Sequence, residues 1–285
     1  MDLSILIPTY NNINYLKLLC KSLKENSNFQ HQLIFHINDG SDGSLEFIKN
    51  ENYLYTHSKD NIGLCSSIKE ASKLIKNDYV LYTHDDMYFC KDWDIFLKNE
   101  INKIQNKYFY LSGASVSYKD SYIHYDCGKS YENFNIKKFN DFCLVDNSPD
   151  YKASHYAPHV VHKDLWNKVD GFSLDFDPGD GSDPDFCMKL WLEDVRIFKC
   201  VSKFKVYHFG SVTTRKKNVK LNKGTKKFLL KYGFNPKFFR KYYLKSDGVL
   251  KYTGPVTEPT FSFTFLIDII INKLKYYYFK ITWIN

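Results

Sequence analysis

Apolar runs of strand length alternate with helical periodicities along the first hundred residues. Four short apolar runs predict strands that are buried on both faces: residues 3–7, 33–37, 54–56 and 79–83. Apolar side chains recur at helical spacing between these runs, at Leu16, Leu19, Cys20 and Leu23 and again at Leu64, Ile68, Ala71 and Ile75. Strand–helix alternation with short links predicts an α/β fold with a mostly parallel sheet flanked by helices.

The pattern becomes less regular after the first hundred residues. Residues 108–156 are rich in Tyr, Asn, Asp and Ser, and we predict further strands with long loops there. A firm element resumes over residues 159–169. A helix is expected from about Pro184 to Asp194, because proline suits the first turn of a helix.

A polar turn follows each of the four predicted strands, and eight residues of these turns are candidates for ligand binding. They are Pro8, Thr9, Tyr10 and Asn11 after the first strand, Asp39 and Ser41 after the second, Asn61 after the third and Asp85 after the fourth. Ligands bind beyond the carboxyl ends of parallel strands, so these turns predict a nucleotide site. A carboxylate such as Asp39 can accept from a base N–H, and Thr9 and Tyr10 can reach ribose or phosphate. Each turn taken alone is also explained as a simple connection.

Asp85 and Asp86 directly follow the fourth apolar run. Two adjacent carboxylates repel each other and contribute nothing favourable to folding. A divalent cation with oxygen ligands, Mn²⁺ or Mg²⁺, would offset this repulsion and bridge to a diphosphate. The alternative is that one of the two carboxylates caps a helix predicted at residues 92–104.

From residue 3 to about residue 233, the ordered set of motifs resembles the inverting family 2 glycosyltransferases of GT-A fold. The first strand and its loop look like the family's nucleotide loop. Asp39 stands where the family's acid contacts the nucleobase, usually uracil. The sequence His84-Asp85-Asp86 occupies the place of the D-x-D motif, so the resemblance implies that Asp86, at its last position, is a direct metal ligand.

Later stretches extend the resemblance. Residues 161–172 look like the family's "R-x-x-F-x-x-V-G-G-F" stretch, and residues 183–186 resemble the "E-D-x-D-L" motif with Asp183 in the place of the catalytic base. Residues 206–211 match the "H-x-G" segment, whose histidine, here His208, can complete metal coordination. Residues 228–233 resemble the helix that commonly follows.

Three positions depart from the family pattern. His84 replaces the first acid of D-x-D, and it could bind metal, orient the ribose or do neither. Ser182 stands where a paired acid precedes the base, which leaves Asp185 as an alternative to Asp183. Lys69 stands where the family has an Arg-Asn pair, and a surface lysine on a helix is the simpler interpretation of it.

The resemblance implies metal-dependent transfer of a sugar from a nucleotide-sugar donor, a UDP-sugar by analogy, to a hydroxyl of a glycan or lipid-linked acceptor. Asp183 would remove the proton of the attacking hydroxyl, and a cation on Asp86 and His208 would neutralise the departing diphosphate. The alternative is a catalytically inactive nucleotide-sugar or glycan binding module on the same fold. The altered D-x-D motif and the missing paired acid favour that alternative.

Charge is distributed unevenly along the chain. The formal net charge is +8, and residues 215–245 contain twelve Lys or Arg without a single Asp or Glu. Nucleic-acid binding is not favoured, because no nucleic-acid motif is recognisable. Anionic lipid headgroups suit this basic stretch better, and a solvated helix face is the remaining interpretation.

The seven cysteines are scattered and form no C-x-x-C pair, so we expect neither a disulfide framework nor a zinc site. A cytoplasmic location fits this cysteine usage best. The chain starts with a strand-like run and no basic lead, and a signal peptide is therefore not expected.

The last part of the chain is apolar and aromatic with interspersed lysines. We predict a catalytic domain at residues 1–240 and a basic, aromatic C-terminal extension at residues 241–285. The apolar stretch at residues 263–271 contains Thr264 and Asp268, and it is too short and too polar for a spanning helix, which needs about 20 apolar residues. Peripheral membrane contact, oligomerisation and packing back on the catalytic domain stay open as its roles.

Overall fold

The computed structural model describes residues 1–119, 121–153, 155–210 and 223–284. Ser211 of the "H-x-G" stretch and residues 215–222 of the basic segment lie outside the described residues. The strands are Leu3–Tyr10 (β1), Gln32–Asn38 (β2), Leu54–Ser58 (β3), Tyr79–Tyr82 (β4), Met87–Phe89 (β5), Phe109–Ser117 (β6), Ile123–His124 (β7), Tyr151–Lys152 (β8), His159–His162 (β9) and Ile197–His208 (β10). The helices are Ile13–Asn26 (α1), Ser44–Asn50 (α2), Leu64–Ser72 (α3), Trp93–Ile104 (α4), Ile136–Val145 (α5), Lys163–Lys168 (α6), Ser182–Leu192 (α7), Gly224–Tyr232 (α8), Pro236–Phe238 (α9) and Phe263–Ile284 (α10).

One sheet organises the described residues, with the strand order β3-β2-β1-β4-β9-β6-β10-β5. The first four of these strands run parallel to one another, whereas β9 is antiparallel to both β4 and β6. The predicted α/β fold class is confirmed, and the predicted strands form its parallel half. Because β1, β2, β3 and β4 are parallel, their carboxyl ends meet at one edge of the sheet.

The other half of the sheet brings a distant residue to this edge. β10 runs parallel to β6 and pairs antiparallel with β5, so that His208 lies opposite Met87. Met87 directly follows Asp86, whose backbone carbonyl accepts a hydrogen bond from the N–H of Phe209 at 3.2 Å. The end of β10 is thereby fastened beside the acidic turn that follows β4.

The predicted helical faces form much of the core. Leu16, Leu19 and Leu23 of α1 are buried, as the periodicity requires. In α3, Ile68 and Ala71 are buried in the same way. The helix ends at Ser72, however, so the predicted fourth member of its face, Ile75, lies beyond it.

Three sequence expectations need correction. The run at residues 54–56 is not buried on both faces, because β3 is the edge strand and leaves Leu54 43% exposed. The predicted strand-and-loop region also contains a helix, α5, which begins where the Asn135 side chain accepts a hydrogen bond from the N–H of Lys138 at 2.9 Å. The firm element at residues 159–169 is a strand, β9, followed directly by α6.

The C-terminal helices pack on one another. The ring of Phe265 in α10 lies 5.4 Å from that of Phe238 in α9, and Lys241, in the π-helical turn Phe239–Tyr243, pairs with Asp268 at 2.7 Å. Within the part of the chain that is described, no helix combines the length and the apolar character needed to cross a membrane.

Candidate active site

Asp85, in the turn after β4, fastens the loop that follows β1. Its Oδ2 atom accepts a hydrogen bond from the Thr9 hydroxyl at 2.6 Å, and its Oδ1 atom accepts one from Nδ2 of Asn12 at 3.0 Å. Burial, together with the charge of Asp86, raises the pKa of Asp85 to about 7. Neither acid caps a helix, because β5 follows them and α4 begins only after Asp92. The capping alternative is therefore wrong.

Asn11 joins the loops that follow β1 and β2. Its Nδ2 atom donates to Oδ2 of Asp39 at 2.7 Å, and its Oδ1 atom accepts from the N–H of Gly40 at 2.9 Å. Both Asn11 and Asp39 have positive φ, 46° and 61°, which Asn and Asp tolerate better than most other residues with a side chain. The N–H of Ser41 donates to Oδ1 of Asp39 at 3.2 Å. The Asp39 carboxylate is thus held in a defined position at the edge.

The remaining residues predicted to bind nucleotide lie at the same edge. Pro8 is buried in β1 beside His36 of β2, and Tyr10 ends β1 half-buried. Asn61 is exposed in the loop after β3, and its Oδ1 atom accepts a hydrogen bond from the N–H of Gly63 at 3.1 Å. The parallel half of the sheet therefore brings the four predicted turns to one side of the molecule.

Asn38, at the end of β2, is a positioning residue that the sequence reasoning missed. Its buried side chain accepts from the N–H of Ile62 at 2.9 Å and donates to the Ser67 hydroxyl at 2.8 Å. These bonds hold the loop after β3 and the start of α3. A buried amide at the last residue of a strand needs such partners, and that requirement is the signal that could have revealed it.

His84, Asp86 and His208 form a cluster of candidate metal ligands. Oδ1 of Asp86 lies 3.3 Å from Nε2 of His208 and 4.0 Å from Nδ1 of His84. One ligand atom from each of the three residues lies within 4.8 Å of the other two. The fold thus brings the two predicted metal residues together and adds His84, whose role the sequence left open.

The donor atoms of this cluster fit a divalent cation. Nε2 of His208 is buried and makes no hydrogen bond within the described residues. Desolvation, reinforced by the nearby His208, lowers the pKa of His84 to about 4, so this ring is neutral at neutral pH and can offer a nitrogen ligand. Imidazole nitrogens suit transition-metal ions, whereas Mg²⁺ takes oxygen ligands. The donor set therefore fits a divalent cation.

Asp183 lies in the first turn of α7, with an unusual environment for a carboxylate. Its Oδ1 atom is buried and has no hydrogen-bond partner among the residues described. Burial raises the pKa of Asp183 to about 7. Burial and the charges of Asp183, Asp86 and Asp85 together raise the pKa of the Tyr82 hydroxyl.

Asp185, the alternative to Asp183, is fully buried, and both of its carboxylate oxygens accept hydrogen bonds. Its Oδ1 atom accepts from Nζ of Lys231 at 2.6 Å and from the Tyr232 hydroxyl at 2.7 Å. Its Oδ2 atom accepts from the Ser173 hydroxyl at 2.6 Å. Because Lys231 and Tyr232 belong to α8, these bonds fasten α8 to α7.

Two further contacts tie α3 to the segment that precedes α7. Asp177, which the sequence reasoning did not single out, accepts a hydrogen bond from the N–H of Cys65 at 2.7 Å, at the start of α3. Lys69 pairs with Asp170 at 3.0 Å, and both side chains are exposed. Lys69 is therefore a surface lysine on a helix, in agreement with the simpler interpretation.

Residues 4–153 match the family model described as glycosyl transferase family 2, which is more than half of the chain. The chain belongs to this family. The match ends before Asp183 and His208, so it covers the four turns predicted to bind nucleotide and the acidic pair, but not the candidate base or His208 of the cluster. Comparison with curated protein sequences gives no match.

Solved structures of glycosyltransferases share the fold. S. aureus TarS 1-349 in complex with UDP is 16% identical with a TM-score of 0.53, covering 73% of this chain and 60% of that chain. The mannosyltransferase PcManGT from Pyrobaculum calidifontis, in complex with GDP-Man and Mn²⁺, is 13% identical with a TM-score of 0.52, covering 81% of this chain and 60% of that chain. GalNAc-T7 with UDP, GalNAc and Mn²⁺ is 12% identical with a TM-score of 0.56, covering 73% of this chain and 44% of that chain. The chain thus spans three fifths or less of the length of each of these proteins. The similarity confirms that this chain has a GT-A-type fold.

Proposed function

We propose that this family 2 glycosyltransferase transfers a sugar, with inversion, from a UDP-sugar to a hydroxyl of a glycan or lipid-linked acceptor. The observation that carries the proposal is the cluster of candidate metal ligands beside the polar turns at one sheet edge. Three kinds of group support it: these polar turns, the His84–Asp86–His208 cluster, and the Asp183 carboxylate, whose buried Oδ1 atom has no hydrogen-bond partner among the described residues. A nucleoside diphosphate, a cation and an attacking hydroxyl each require one of them.

Asp183 is the base in this mechanism. Its carboxylate accepts the proton of the acceptor hydroxyl while the hydroxyl oxygen forms a bond to the anomeric carbon of the donor sugar. The bond between that carbon and the diphosphate oxygen breaks, and its electron pair leaves with the diphosphate. One displacement from the opposite face inverts the configuration. The unpartnered Oδ1 atom and the raised pKa of Asp183, about 7, support this role.

Asp86 and His208 would hold the cation, with His84 as the third ligand. A bound Mn²⁺ or Mg²⁺ neutralises negative charge on a diphosphate leaving group. The complexes of PcManGT and GalNAc-T7 with Mn²⁺ support Mn²⁺ here. His84 would not need to lose a proton to bind the cation at neutral pH, because its lowered pKa, about 4, keeps the ring neutral there.

The loops after β1, β2 and β3 would hold the nucleotide. Asp39 would accept from a base N–H, and Pro8, Thr9, Tyr10, Asn11, Ser41 and Asn61 would line the nucleoside, with Asp85 fixing Thr9. The UDP complexes of TarS and GalNAc-T7 support a UDP-sugar, while the GDP-Man complex of PcManGT shows the fold with a different nucleotide.

Thermal unfolding with a set of nucleotides tests the proposal. UDP, GDP, TDP and CDP are each added with and without Mn²⁺ to the wild type and to Asp86→Ala. We expect Mn²⁺-dependent stabilisation by UDP, which would amount to about 2.7 kcal/mol at a hundred times the dissociation constant. Asp86→Ala should lose the metal-dependent part. Asp175→Ala removes an exposed acid and should respond like the wild type.

Each part of the proposal has its own contradicting result. No response to any nucleotide would overturn the donor site. A response that is unchanged in Asp86→Ala would overturn the metal site alone. Nucleotide binding by the wild type without release of UDP from any UDP-sugar, across glycan and lipid-linked acceptors, would favour the inactive binding module.

We also propose that the chain acts in the cytoplasm, with peripheral membrane contact through the C-terminal extension. The seven cysteines are free, which is compatible with a reducing compartment. Apolar side chains are exposed along α10. The division into residues 1–240 and 241–285 stays a prediction.

A further inference from the structure

We propose that α8 and α10 form a docking site for an anionic lipid surface, with one lipid phosphate held in a basic pocket between the two helices. The proposal deepens the proposed membrane contact and does not depend on the transfer chemistry. Four features carry it: the orientation of α10, the apolar face that it exposes, the pocket, and the position of the pocket beside the loop before Asp183.

The helix α10 turns two of its polar residues, Asp268 and Asn272, toward the protein. Asp268 accepts hydrogen bonds from Nζ of Lys241 at 2.7 Å and from the Tyr242 hydroxyl at 2.6 Å. Asn272, which is buried, accepts from the N–H of Asn235 at 2.9 Å. An amphipathic helix on a protein surface normally has the opposite arrangement, with its polar residues in water.

The opposite side of α10 is apolar and exposed. Phe263 is 76% exposed and Leu274 67%, and further exposed apolar residues lie between and beyond them: Leu266, Ile270, Ile271 and Ile281. A helix of 22 residues is about 33 Å long. So many exposed apolar side chains on one helix mark an interaction surface rather than ordinary surface variation.

A basic pocket adjoins this face. It has a volume of about 530 Å³ and is lined by Lys223 and Lys226 of the α8 region and by Lys275, Tyr278 and Phe279 of α10. The ammonium group of Lys226 lies 4.5 Å from the centre of the Phe279 ring. Within the described residues, neither Lys223 nor Lys275 is in an ion pair. The pocket therefore combines uncompensated positive charge with aromatic walls.

One acid, Asp180, also lines the pocket, and its carboxylate is hydrogen-bonded to the backbone at the start of α8. Oδ2 of Asp180 accepts a hydrogen bond from the N–H of Gly224 at 2.8 Å. The ammonium groups of Lys223 and Lys275 leave the pocket positively charged. A lipid phosphodiester, which carries one negative charge, would reduce this excess, because lysine binds phosphate as a point charge.

The charge pattern favours a lipid surface over a second copy of the chain. Lys273, Lys275 and Lys280 are exposed on α10 among its apolar residues. In a two-fold dimer the same patch meets itself, which would bring these lysines toward their own copies. In an anionic membrane, the apolar side chains of α10 would instead insert among the acyl chains, and its lysines would contact negatively charged headgroups.

The pocket lies next to the candidate catalytic loop. Asp180 is three residues before Asp183, and a Cβ atom at Gly224 would collide with the Asp180 carbonyl, so α8 is packed directly on this loop. A lipid phosphate in the pocket would hold the membrane surface beside Asp183. An acceptor carried on a lipid phosphate fits this arrangement.

Flotation with lipid vesicles tests the proposal on the full chain. The vesicles are phosphatidylcholine alone or with about one third phosphatidylglycerol, at an ionic strength of about 0.15 M. We expect the wild type to bind only the anionic vesicles. Lys223→Gln/Lys275→Gln should weaken binding about 25-fold, the product of a factor of about five for each lysine near an anionic surface. Ile270→Ser/Leu274→Ser, on the apolar face, should also weaken it.

The matched control is Lys21→Gln/Lys24→Gln, which removes the same charge from the exposed side of α1. It should bind within about twofold of the wild type. An equal loss in both double lysine variants would overturn the pocket, and a wild type that stays free of anionic vesicles would overturn the whole docking site. A stable dimer that Ile270→Ser/Leu274→Ser dissociates, without vesicle binding, would assign the face to a second copy instead.

Nucleotide-induced thermal stabilisation is measured on the same proteins. It should be unchanged in all three double variants, because none of the substituted residues lies at the nucleotide edge. If the protein does not bind vesicles but is still stabilised by nucleotide, the docking site is wrong and the proposed transferase function is unaffected. If it binds vesicles but is not stabilised by nucleotide, the donor site is wrong and the docking site is unaffected.

Discussion

Asp183 and Asp185 lie two residues apart in the first turn of α7, yet their surroundings are opposite. Asp185 has three hydrogen-bond donors around a fully buried carboxylate. Asp183 is only partly buried, and its Oδ1 atom has no partner in the described chain. A carboxylate with donors is stabilised in its charged form, whereas one without them is a better proton acceptor. This contrast favours Asp183 over Asp185 as the base.

Replacing the proposed base should separate activity from stability. We expect Asp183→Asn to lower the transfer rate by a factor of about 10² to 10⁴ and to leave nucleotide binding intact. The same change should raise the free energy of unfolding at neutral pH by about 1 kcal/mol, since it removes a desolvated charge. UDP release and chemical denaturation measure the two effects.

Asp175→Asn is the control for that substitution, because Asp175 is an exposed acid near α7. It should keep its activity, and its stability should stay within about 0.5 kcal/mol of the wild type. A stability loss in Asp183→Asn would show that the Asp183 carboxylate has partners that stabilise the fold.

The pH dependence follows from the raised pKa of Asp183, about 7. Below this value the carboxyl is protonated and cannot accept the acceptor proton, so kcat/KM should fall tenfold per pH unit. Folding favours the protonated form, because the folded pKa lies above the ordinary value of 3.8. The stability contributed by this group is therefore present below about pH 4 and is lost as the pH rises toward 7.

The comparison of wild type with Asp183→Asn isolates this group from Asp85, whose pKa is also raised to about 7. The stability advantage of the variant should be small at acidic pH and grow as the pH rises to neutral. Thermal unfolding across that range measures it. An advantage that is constant with pH would contradict the raised pKa of Asp183.

At the scale of elements, α7 and α8 are joined through Asp185. Lys231→Met should lower the free energy of unfolding by about 2 kcal/mol, because it leaves a buried carboxylate without its counter-charge. Tyr232→Phe should cost about 1.5 kcal/mol through the loss of one hydrogen bond to a charged group. Chemical denaturation provides the measurement.

The control is Lys137→Met, which breaks the exposed pair between Lys137 and Asp141 in α5. Exposed pairs of this spacing contribute about 0.5 kcal/mol or less. Equal losses at Lys231 and Lys137 would mean that Asp185 is not a buried anchor.

The orientation of α10 gives a second prediction for an element. Phe265→Ala should destabilise the protein by about 2 kcal/mol, because its ring packs against Phe238 at 5.4 Å and Tyr242 at 5.0 Å. Leu274→Ala, on the exposed face, should change the stability by less than about 0.5 kcal/mol. Denaturation without lipid measures both. The opposite ranking would mean that the helix is rotated.

For the whole molecule, we expect a single thermal transition. Contacts run without interruption from α10 to α9, from α10 to α8 and from α8 to α7, so the extension should not unfold separately. Differential scanning calorimetry of the wild type and of Phe265→Ala measures this. A second transition at lower temperature would contradict this if Phe265→Ala shifted it and left the main transition unchanged. Residues 241–285 would then unfold as a separate unit.

Much of the parallel half could be predicted because its signals are local. Four apolar runs and two helical periodicities lie within the first hundred residues, and each run ends in a polar turn. The burial of β3 and the presence of α5 could not be predicted in this way. An edge position depends on which strands pair, and α5 buries only Phe139 among its residues, which leaves too little periodicity to recognise.

The sequence by itself determined the order of β1, α1, β2, β3, α3 and β4, the polar edge and the acidic pair at Asp85 and Asp86, because apolar periodicity and adjacent charges act over a few residues. Only the tertiary structure decided that His84 lies beside Asp86 and His208, and that Asp185 rather than Asp183 accepts hydrogen bonds from α8. It also decided that α10 exposes its apolar side. These outcomes depend on partners far apart in the chain; the Lys231–Asp185 contact, for example, spans 46 residues. Whether a polar group is paired, and thus whether it is free for chemistry, is decided by its neighbours in space.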